Sequence, residues 1–283
     1  MSNKRALFVH AHPDDETINN GVTMAQMVED GVAVTLVTCT RGEEGEVLVP
    51  DLAHLASHAN DDLGPHRVIE LANAMKELGV KDHRFLGEYR DSGMMGTPQN
   101  ENENCFWKAD VDEAAKKLAL IIDEIKPQVM VTYDEIGGYG HPDHIQAHRV
   151  AMRAAELATW KIEKIYWNIM PKSVVAQGIE AMKAQGSDFF GAENVDDLPF
   201  VKDDSFVHAV IHAPKQIDKK MAAMKAHATQ ITLDGPFFAL SNNLGVQVFG
   251  DEYYTLVKEG KAVEFGSFNS NSLETDLFAG VKL

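Results

Sequence analysis

The chain alternates short apolar runs with longer segments whose apolar residues recur at helical spacing, and this alternation most constrains its fold. Apolar runs that predict strands are residues 7–10, 32–38, 84–86, 129–133, 164–170 and 206–211. Helical spacing is found in residues 18–30, 66–78, 111–125 and 143–158. Alternating strands and helices predict an α/β protein with a Rossmann-like, doubly wound, mostly parallel sheet that is covered by helices on both faces.

The alternation weakens after about residue 170. Residues 172–204 are mixed and acidic and predict a helical and loop insertion, residues 214–229 predict one more helix, and residues 245–249 predict a short strand. We therefore predict a Rossmann-like core over residues 1–170, which carries the candidate site. Residues 171–283 should form a C-terminal α/β extension that packs on this core within a single structural unit and walls the site.

The composition excludes several classes of partner. The chain has 43 acidic and 26 basic residues, which gives a formal net charge of −17. Such a charge repels phosphate backbones and anionic lipid, so we predict no nucleic-acid and no membrane partner. No apolar stretch reaches the roughly 20 residues of a membrane span, and the first apolar run is too short for a signal peptide. These features predict a cytoplasmic protein and leave the oligomeric state open.

Two similar clusters of polar residues follow the first and fourth predicted strands. The first is His12-Pro-Asp-Asp15 and the second is His141-Pro-Asp-His144. In the strand order 3-2-1-4-5, strands 1 and 4 are neighbours where the order reverses, which is the usual ligand site of an open α/β sheet. Either cluster alone is compatible with an ordinary helix start, but two at this position indicate a functional site. No Gly-x-Gly-x-x-Gly follows the first strand, so a dinucleotide site would lack its phosphate loop.

Imidazole and carboxylate groups in these clusters suit a hydrolytic metal site, which takes three protein ligands and leaves one position open. Zinc suits such ligands, and two histidines with one carboxylate also suit ferrous iron. Asp14 and Asp15 are adjacent, so one can bind the metal while the other faces the attacking water. Of His141 and His144, one should bind the metal and the other should face the substrate.

These residues resemble the PIG-L/LmbE family of zinc-dependent de-N-acetylases, through residues 11–16 and 140–144. Residues 38–46, 89–94 and 131–134 are similar to the members that deacetylate N-acetylglucosaminyl-inositol in mycothiol biosynthesis. The resemblance covers about residues 6–155, and residues 225–230 are the clearest match beyond. It implies a metal-dependent hydrolase that removes acetate from a small-molecule N-acetylglucosamine-type sugar, with Zn²⁺ as cofactor and Fe²⁺ as the alternative.

The resemblance also implies roles for individual side chains. The family's metal ligands fall on His12, Asp15 and His144. Its general base falls on Asp14. Its carbonyl-polarising groups fall on a protonated His141 and on Tyr139, and Asp143 is expected to orient or charge His141. Contacts with the sugar are implied at Arg67, Asp91 and Glu46.

Three other functions remain open on the sequence. Two use the same site: an amidase acting on mycothiol S-conjugates, and a deacetylase of another N-acetylated sugar. Related amidases tend to carry a lysine after the first cluster, where this chain has Thr17-Ile-Asn-Asn20, which favours the deacetylase. The third is a metal- or sugar-binding protein without turnover, and the presence of Asp14 argues against it, since pure binding needs no base. Residues 98–105 match no pattern that assigns them a role.

Overall fold

A computed structural model describes residues 3–184, 194–198, 200–231, 250–258, 261–262 and 273–282. Its strands are β1 (Arg5–His10), β2 (Ala33–Thr38), β3 (Asp82–Phe85), β4 (Val129–Thr132), β5 (Lys164–Pro171), β6 (Val201–Lys202), β7 (Ala209–His212), β8 (Asp251–Lys258) and β9 (Lys261–Ala262). Its helices are α1 (Asp15–Glu29), α2 (Leu63–Leu78), α3 (Val111–Ile125), α4 (Gly137–Gly140), α5 (Pro142–Leu157), α6 (Lys172–Ala184) and α7 (Ile217–Ala226).

The strands form one mixed sheet in the order β3-β2-β1-β4-β5-β8-β7. The first five strands are parallel, whereas β8 runs antiparallel to both β5 and β7. Two short strands lie off this path, β6 beside β5 and β9 beside β8. The predicted α/β class and the strand order 3-2-1-4-5 are confirmed.

Apolar side chains of the central strand β1 feed two separate cores. Ala6 and Phe8 pack on one face with residues of α1, α2 and α7. Leu7 and Val9 pack on the other face with residues of α3 and α5. Since both faces are covered, the central strands are apolar at nearly every position, as strands of parallel sheets generally are.

Local capping groups set several element boundaries. The side chain of Asp110 accepts a hydrogen bond from Glu113 N at 2.9 Å and so begins α3. Gly79 ends α2 with a φ of 79°, a conformation that suits glycine. The strand predicted at 206–211 begins only at Ala209, because Asp203 caps a 3₁₀ turn over Asp204–Phe206.

Residues after 170 extend the same sheet through β7 and β8, and the division at residue 170 stays a prediction. The helix predicted over 214–229 is a 3₁₀ turn, Pro214–Gln216, followed by α7. The strand predicted at 245–249 lies outside the described residues. Within the described ranges, every helix is too short or too polar to cross a membrane.

Candidate metal centre and active site

The segments after β1 and β4 meet at the carboxyl edge of the sheet. Nδ1 of His12 lies 3.3 Å from Nε2 of His144, although the two residues are separated by 132 positions. Asp15 joins them, with one oxygen 3.3 Å from His12 Nδ1 and the other 3.4 Å from His144 Nε2. The structure therefore brings together the three side chains that the resemblance implied as metal ligands.

Hydrogen bonds on the far sides of both rings fix where their protons lie. His144 Nδ1 is 3.2 Å from the carbonyl oxygen of Gly137, which can only accept, so this nitrogen carries the proton. His12 Nε2 is 3.1 Å from Asp143 Oδ2, so in the neutral ring the proton lies there. The two nitrogens that face each other then both present lone pairs, beside a carboxylate. Such an arrangement of electron-pair donors fits a divalent metal ion, with outer partners that orient each imidazole.

The electrostatics of His12 also favour a cation at this position. Burial disfavours a charged imidazole, but Asp91, Asp143 and Asp15 outweigh it and raise the pKa of His12 well above its usual value. Among the described residues, two groups of possible ligands have donor atoms within 4.8 Å of one another. The first group is His12, His141 and His144, and the second is His12, Asp91 and Asp143. The site is therefore a possible metal centre made of histidine and aspartate side chains.

Asp15 is held by a tyrosine that the sequence analysis did not select. The Tyr133 hydroxyl donates to Asp15 Oδ2 at 2.7 Å and accepts a hydrogen bond from Ala11 N at 2.9 Å. The backbone N–H of His12 donates to the same carboxylate oxygen at 2.9 Å. Tyr133 directly follows β4, so the strand-end rule that selected the two clusters applies to it as well.

Asp14 stands beside the candidate ligands in an uncommon backbone conformation, with a φ of 118°. Nη2 of Arg67 lies 3.2 Å from its carboxylate and also donates to Pro13 O, while Nη1 donates to Gly42 O at 2.8 Å. Burial raises the pKa of Asp14 to about 6, although the guanidinium opposes this shift. A pKa in this range suits a general base near neutral pH.

Arg67 was expected to contact the sugar, and the structure describes its contacts within the protein. The residue is only 2% exposed, and its terminal nitrogens bind Asp14 and two carbonyl oxygens. The guanidinium therefore lies beside Asp14, and its contact with sugar stays a prediction.

Asp143 also lies elsewhere than expected. Its carboxylate was expected on His141, but it bonds His12 Nε2 and accepts from the backbone and hydroxyl of Ser92. Only its backbone N–H meets His141, donating to Nδ1 at 3.2 Å. The reason is that His141 caps α5, so the first-turn carboxylate points away from the capping ring.

The pKa of His141 bears on its expected charge. Burial and the neighbouring His12 and His144 lower this pKa to about 2, which favours the neutral ring over the protonated one that we expected. Because Nδ1 accepts from Asp143 N, the proton of the neutral ring lies on Nε2. This N–H can still donate a hydrogen bond to a developing oxyanion.

Tyr139 lies in a glycine-rich turn beside these rings. Its ring centre is 6.2 Å from that of His141 and 5.0 Å from that of His144, and the residue is 45% exposed. Asp134 holds the turn, since its Oδ1 accepts from Gly138 N at 2.7 Å and its Oδ2 lies 2.8 Å from Lys202 Nζ. Lys202 comes from β6, so part of the chain beyond residue 170 reaches this loop.

The remaining two predicted sugar contacts have different surroundings. Asp91 is 4% exposed, lies 3.5 Å from His12 Nε2 and accepts from Gly93 N at 2.8 Å. Glu46 is exposed, and its backbone oxygen accepts from Gln230 at 3.2 Å. Asp91 therefore lies at the candidate metal centre, whereas contact of either residue with sugar stays a prediction.

Residues 7–155 match the protein-family model PIG-L, described as GlcNAc-PI de-N-acetylase. This match spans more than half of the chain, and the chain belongs to that family.

Relatives extend the similarity to nearly the full length. A protein of Geodermatophilus obscurus named 1D-myo-inositol 2-acetamido-2-deoxy-alpha-D-glucopyranoside deacetylase is 55% identical, over 98% of each chain. A protein of Streptomyces avermitilis with the same name is 54% identical, over 99% of this chain and 98% of its own. Among solved structures, N,N'-diacetylchitobiose deacetylase from Pyrococcus horikoshii matches with a TM-score of 0.60 and 18% identity. That match covers 90% of this chain and 84% of the other, and it supports the fold.

Proposed function

We propose that this chain is a zinc-dependent N-deacetylase that removes acetate from 1D-myo-inositol 2-acetamido-2-deoxy-alpha-D-glucopyranoside in mycothiol biosynthesis, in the cytoplasm. The observation that carries the proposal is the buried group of His12, Asp15 and His144 with the carboxylate of Asp14 beside it. The names of the full-length relatives support the substrate.

In this proposal His12, Asp15 and His144 hold the metal. When bound there, the ion would act as a Lewis acid and would lower the pKa of a water molecule. The donor set suits zinc and also ferrous iron, since both accept two imidazoles and a carboxylate.

The side chains around the ligands then have separate tasks. Asp14 accepts a proton from the attacking water, while Arg67 holds the Asp14 carboxylate in place. Nε2–H of His141 and the hydroxyl of Tyr139 donate hydrogen bonds to the acetamide oxygen as negative charge develops there. Protonated Asp14 returns its proton to the departing amine, so acetate and the free amino-sugar are released.

Acetate release from N-acetylglucosaminyl-inositol by metal-stripped protein, with and without added zinc, tests the proposal. We expect release that depends on zinc. Asp14→Ala should keep its metal and lose nearly all turnover, whereas His12→Ala should lose metal as well. Release of acetate without metal would refute the metal dependence, and full activity of Asp14→Ala would refute its role as base.

A parallel assay with a mycothiol S-conjugate and with other N-acetylated sugars tests the substrate. The proposal predicts the highest kcat/KM on the inositol glycoside, because differential transition-state binding decides specificity. A higher value on the conjugate would identify an amidase, and metal binding without turnover of any substrate would identify a binding protein.

A further inference from the structure

Residues 225–230 are the clearest match to the family outside the predicted core, and they have no role in the chemistry proposed above. Helix α7 ends at Ala226, and the chain then turns through His227, which is fully buried. Nε2 of His227 lies 3.0 Å from Glu16 Oε1, across 211 residues of sequence. Glu16 is also fully buried, so this contact is an internal ion pair or a charge-assisted hydrogen bond.

The other oxygen of Glu16 bonds the backbone of the candidate base. Glu16 Oε2 accepts from Asp14 N at 3.0 Å. This N–H belongs to the residue whose φ is 118°, a conformation that side-chain-bearing residues rarely adopt. Such a conformation persists only where its surroundings hold it. Glu16 therefore restrains Asp14 from one side, and His227 together with the Thr17 hydroxyl fixes the direction of the Glu16 carboxylate.

The same segment also contacts α2, the helix that carries Arg67. The backbone N–H and the hydroxyl of Thr229 donate to the two oxygens of Glu70, at 2.8 and 2.7 Å. Glu70 lies one helical turn after Arg67 on α2, and Arg67 holds the carboxylate of Asp14. Residues 227–229 thus contact both Glu16 and the helix that carries Arg67.

We propose that His227 is a positioning residue for the base: through Glu16 it holds the backbone of Asp14, so that the carboxylate stays aligned with the attacking water. This proposal rests on the proposed function, in which Asp14 is the base. A 1 Å misplacement of a catalytic group can lower a rate by about 100-fold. The buried contact between His227 and Glu16 can therefore affect turnover although His227 does not touch the substrate. Metal binding should not depend on His227, because its ring contacts none of the three ligand side chains through the hydrogen bonds described.

Three variants test the proposal. His227→Leu removes the donor to Glu16, whereas His227→Gln keeps an N–H in a side chain of similar reach. Thr255→Val is the matched control, because it removes one partly buried hydrogen bond, to Phe206 O at 2.7 Å, away from the site. Each variant is measured for metal content, kcat and KM on N-acetylglucosaminyl-inositol, and hydrogen exchange of the peptide that contains Asp14.

For His227→Leu we expect kcat to fall about 10- to 100-fold, with metal content unchanged and KM within about twofold. Exchange of the peptide that contains Asp14 should become faster. His227→Gln should restore most of both properties, and Thr255→Val should match the wild type.

Unchanged exchange in His227→Leu would overturn the proposal, and so would loss of metal or a rise in KM without a fall in kcat. Equal defects in the leucine and glutamine variants would also overturn it. If the wild type releases no acetate from this substrate, the proposed function fails, and the exchange measurement alone decides whether His227 holds Asp14.

Discussion

Tyr133→Phe is the substitution that most directly tests how the protein orients its proposed metal ligands. The change removes one hydroxyl oxygen and keeps the ring, which stacks against His144 with centres 4.3 Å apart. That oxygen donates to Asp15 at 2.7 Å, accepts from Ala11 N at 2.9 Å and lies 3.2 Å from His10 Nδ1. The contacts with Asp15 and with Ala11 have separate consequences, so the loss of zinc affinity and the loss of stability can be estimated separately.

The contact with Asp15 concerns the metal. Loss of an outer partner of a metal ligand typically lowers affinity about 10- to 100-fold, which corresponds to about 1.4–2.8 kcal/mol. The contact with Ala11 concerns folding, because its backbone N–H would be left buried without an acceptor, at a cost of about 1–3 kcal/mol. We therefore expect Tyr133→Phe to bind zinc about 10- to 100-fold more weakly and also to lose stability.

Competition with a chromophoric chelator gives the zinc dissociation constant, and urea unfolding of the metal-free protein gives the stability. Tyr166→Phe is the matched control: Tyr166 is equally buried, and its hydroxyl donates to Glu274 on the far part of the sheet. The control should lose stability and bind zinc as the wild type does. If Tyr133→Phe is less stable but keeps its zinc affinity within about twofold, the hydroxyl does not prepare Asp15 for the metal.

Three further predictions concern the turn after β4 and the pH dependence of folding. Gly137→Ala should weaken zinc binding, because a Cβ there would lie 2.6 Å from the Cβ of the proposed ligand His144. At Gly140, which also has a positive φ, a Cβ meets no described atom within 4 Å, so equal zinc affinities in the two alanine variants would contradict this prediction. Lys202→Met leaves the buried carboxylate of Asp134 without its cation and should cost about 1–3 kcal/mol in urea unfolding, with most of it recovered in Lys202→Arg. Burial lowers the pKa of His227, but the charge of the buried Glu16 outweighs this effect and raises the pKa above 6.5. The stabilisation that protonated His227 provides is therefore complete below pH 6.5 and declines as the pH rises through the folded-state pKa. The stability lost in His227→Gln should thus be larger at pH 6 than at pH 9, and urea unfolding at both values checks the sign.

The fold was predictable because its signals are local and the rules that connect them are strong. Residues 32–38 are apolar and rich in β-branched side chains, and residues 66–78 repeat apolar positions at helical spacing and end at glycine. Right-handed crossovers then leave few arrangements of such units. The meeting of the segments after β1 and β4 follows from the strand order alone, which is why the sequence located the candidate site.

The partners of individual side chains were not predictable in the same way. Asp143 is two residues from His141 and was expected to be its partner, but the start of α5 turns the carboxylate toward His12. Arg67 lies in the second turn of α2, far from the first cluster in sequence, and only packing of α2 beside Gly42 brings its guanidinium to Asp14. Periodicity assigns a residue to a face of an element, but hydrogen-bond partners depend on the separation of elements to within an ångström.

The charge of the site explains why it should select a divalent cation. Five carboxylates lie at the site: the candidate ligand Asp15 and its neighbours Asp14, Glu16, Asp91 and Asp143. Two buried cationic partners among the described residues, Arg67 and His227, face them, and the chain as a whole carries a net charge of −17. Because isolated buried charge is costly, an ion of charge +2 offsets more of this excess than a proton shared by two imidazoles does. Zinc and ferrous iron carry the same charge, so the electrostatics favour a divalent ion without choosing between these two metals.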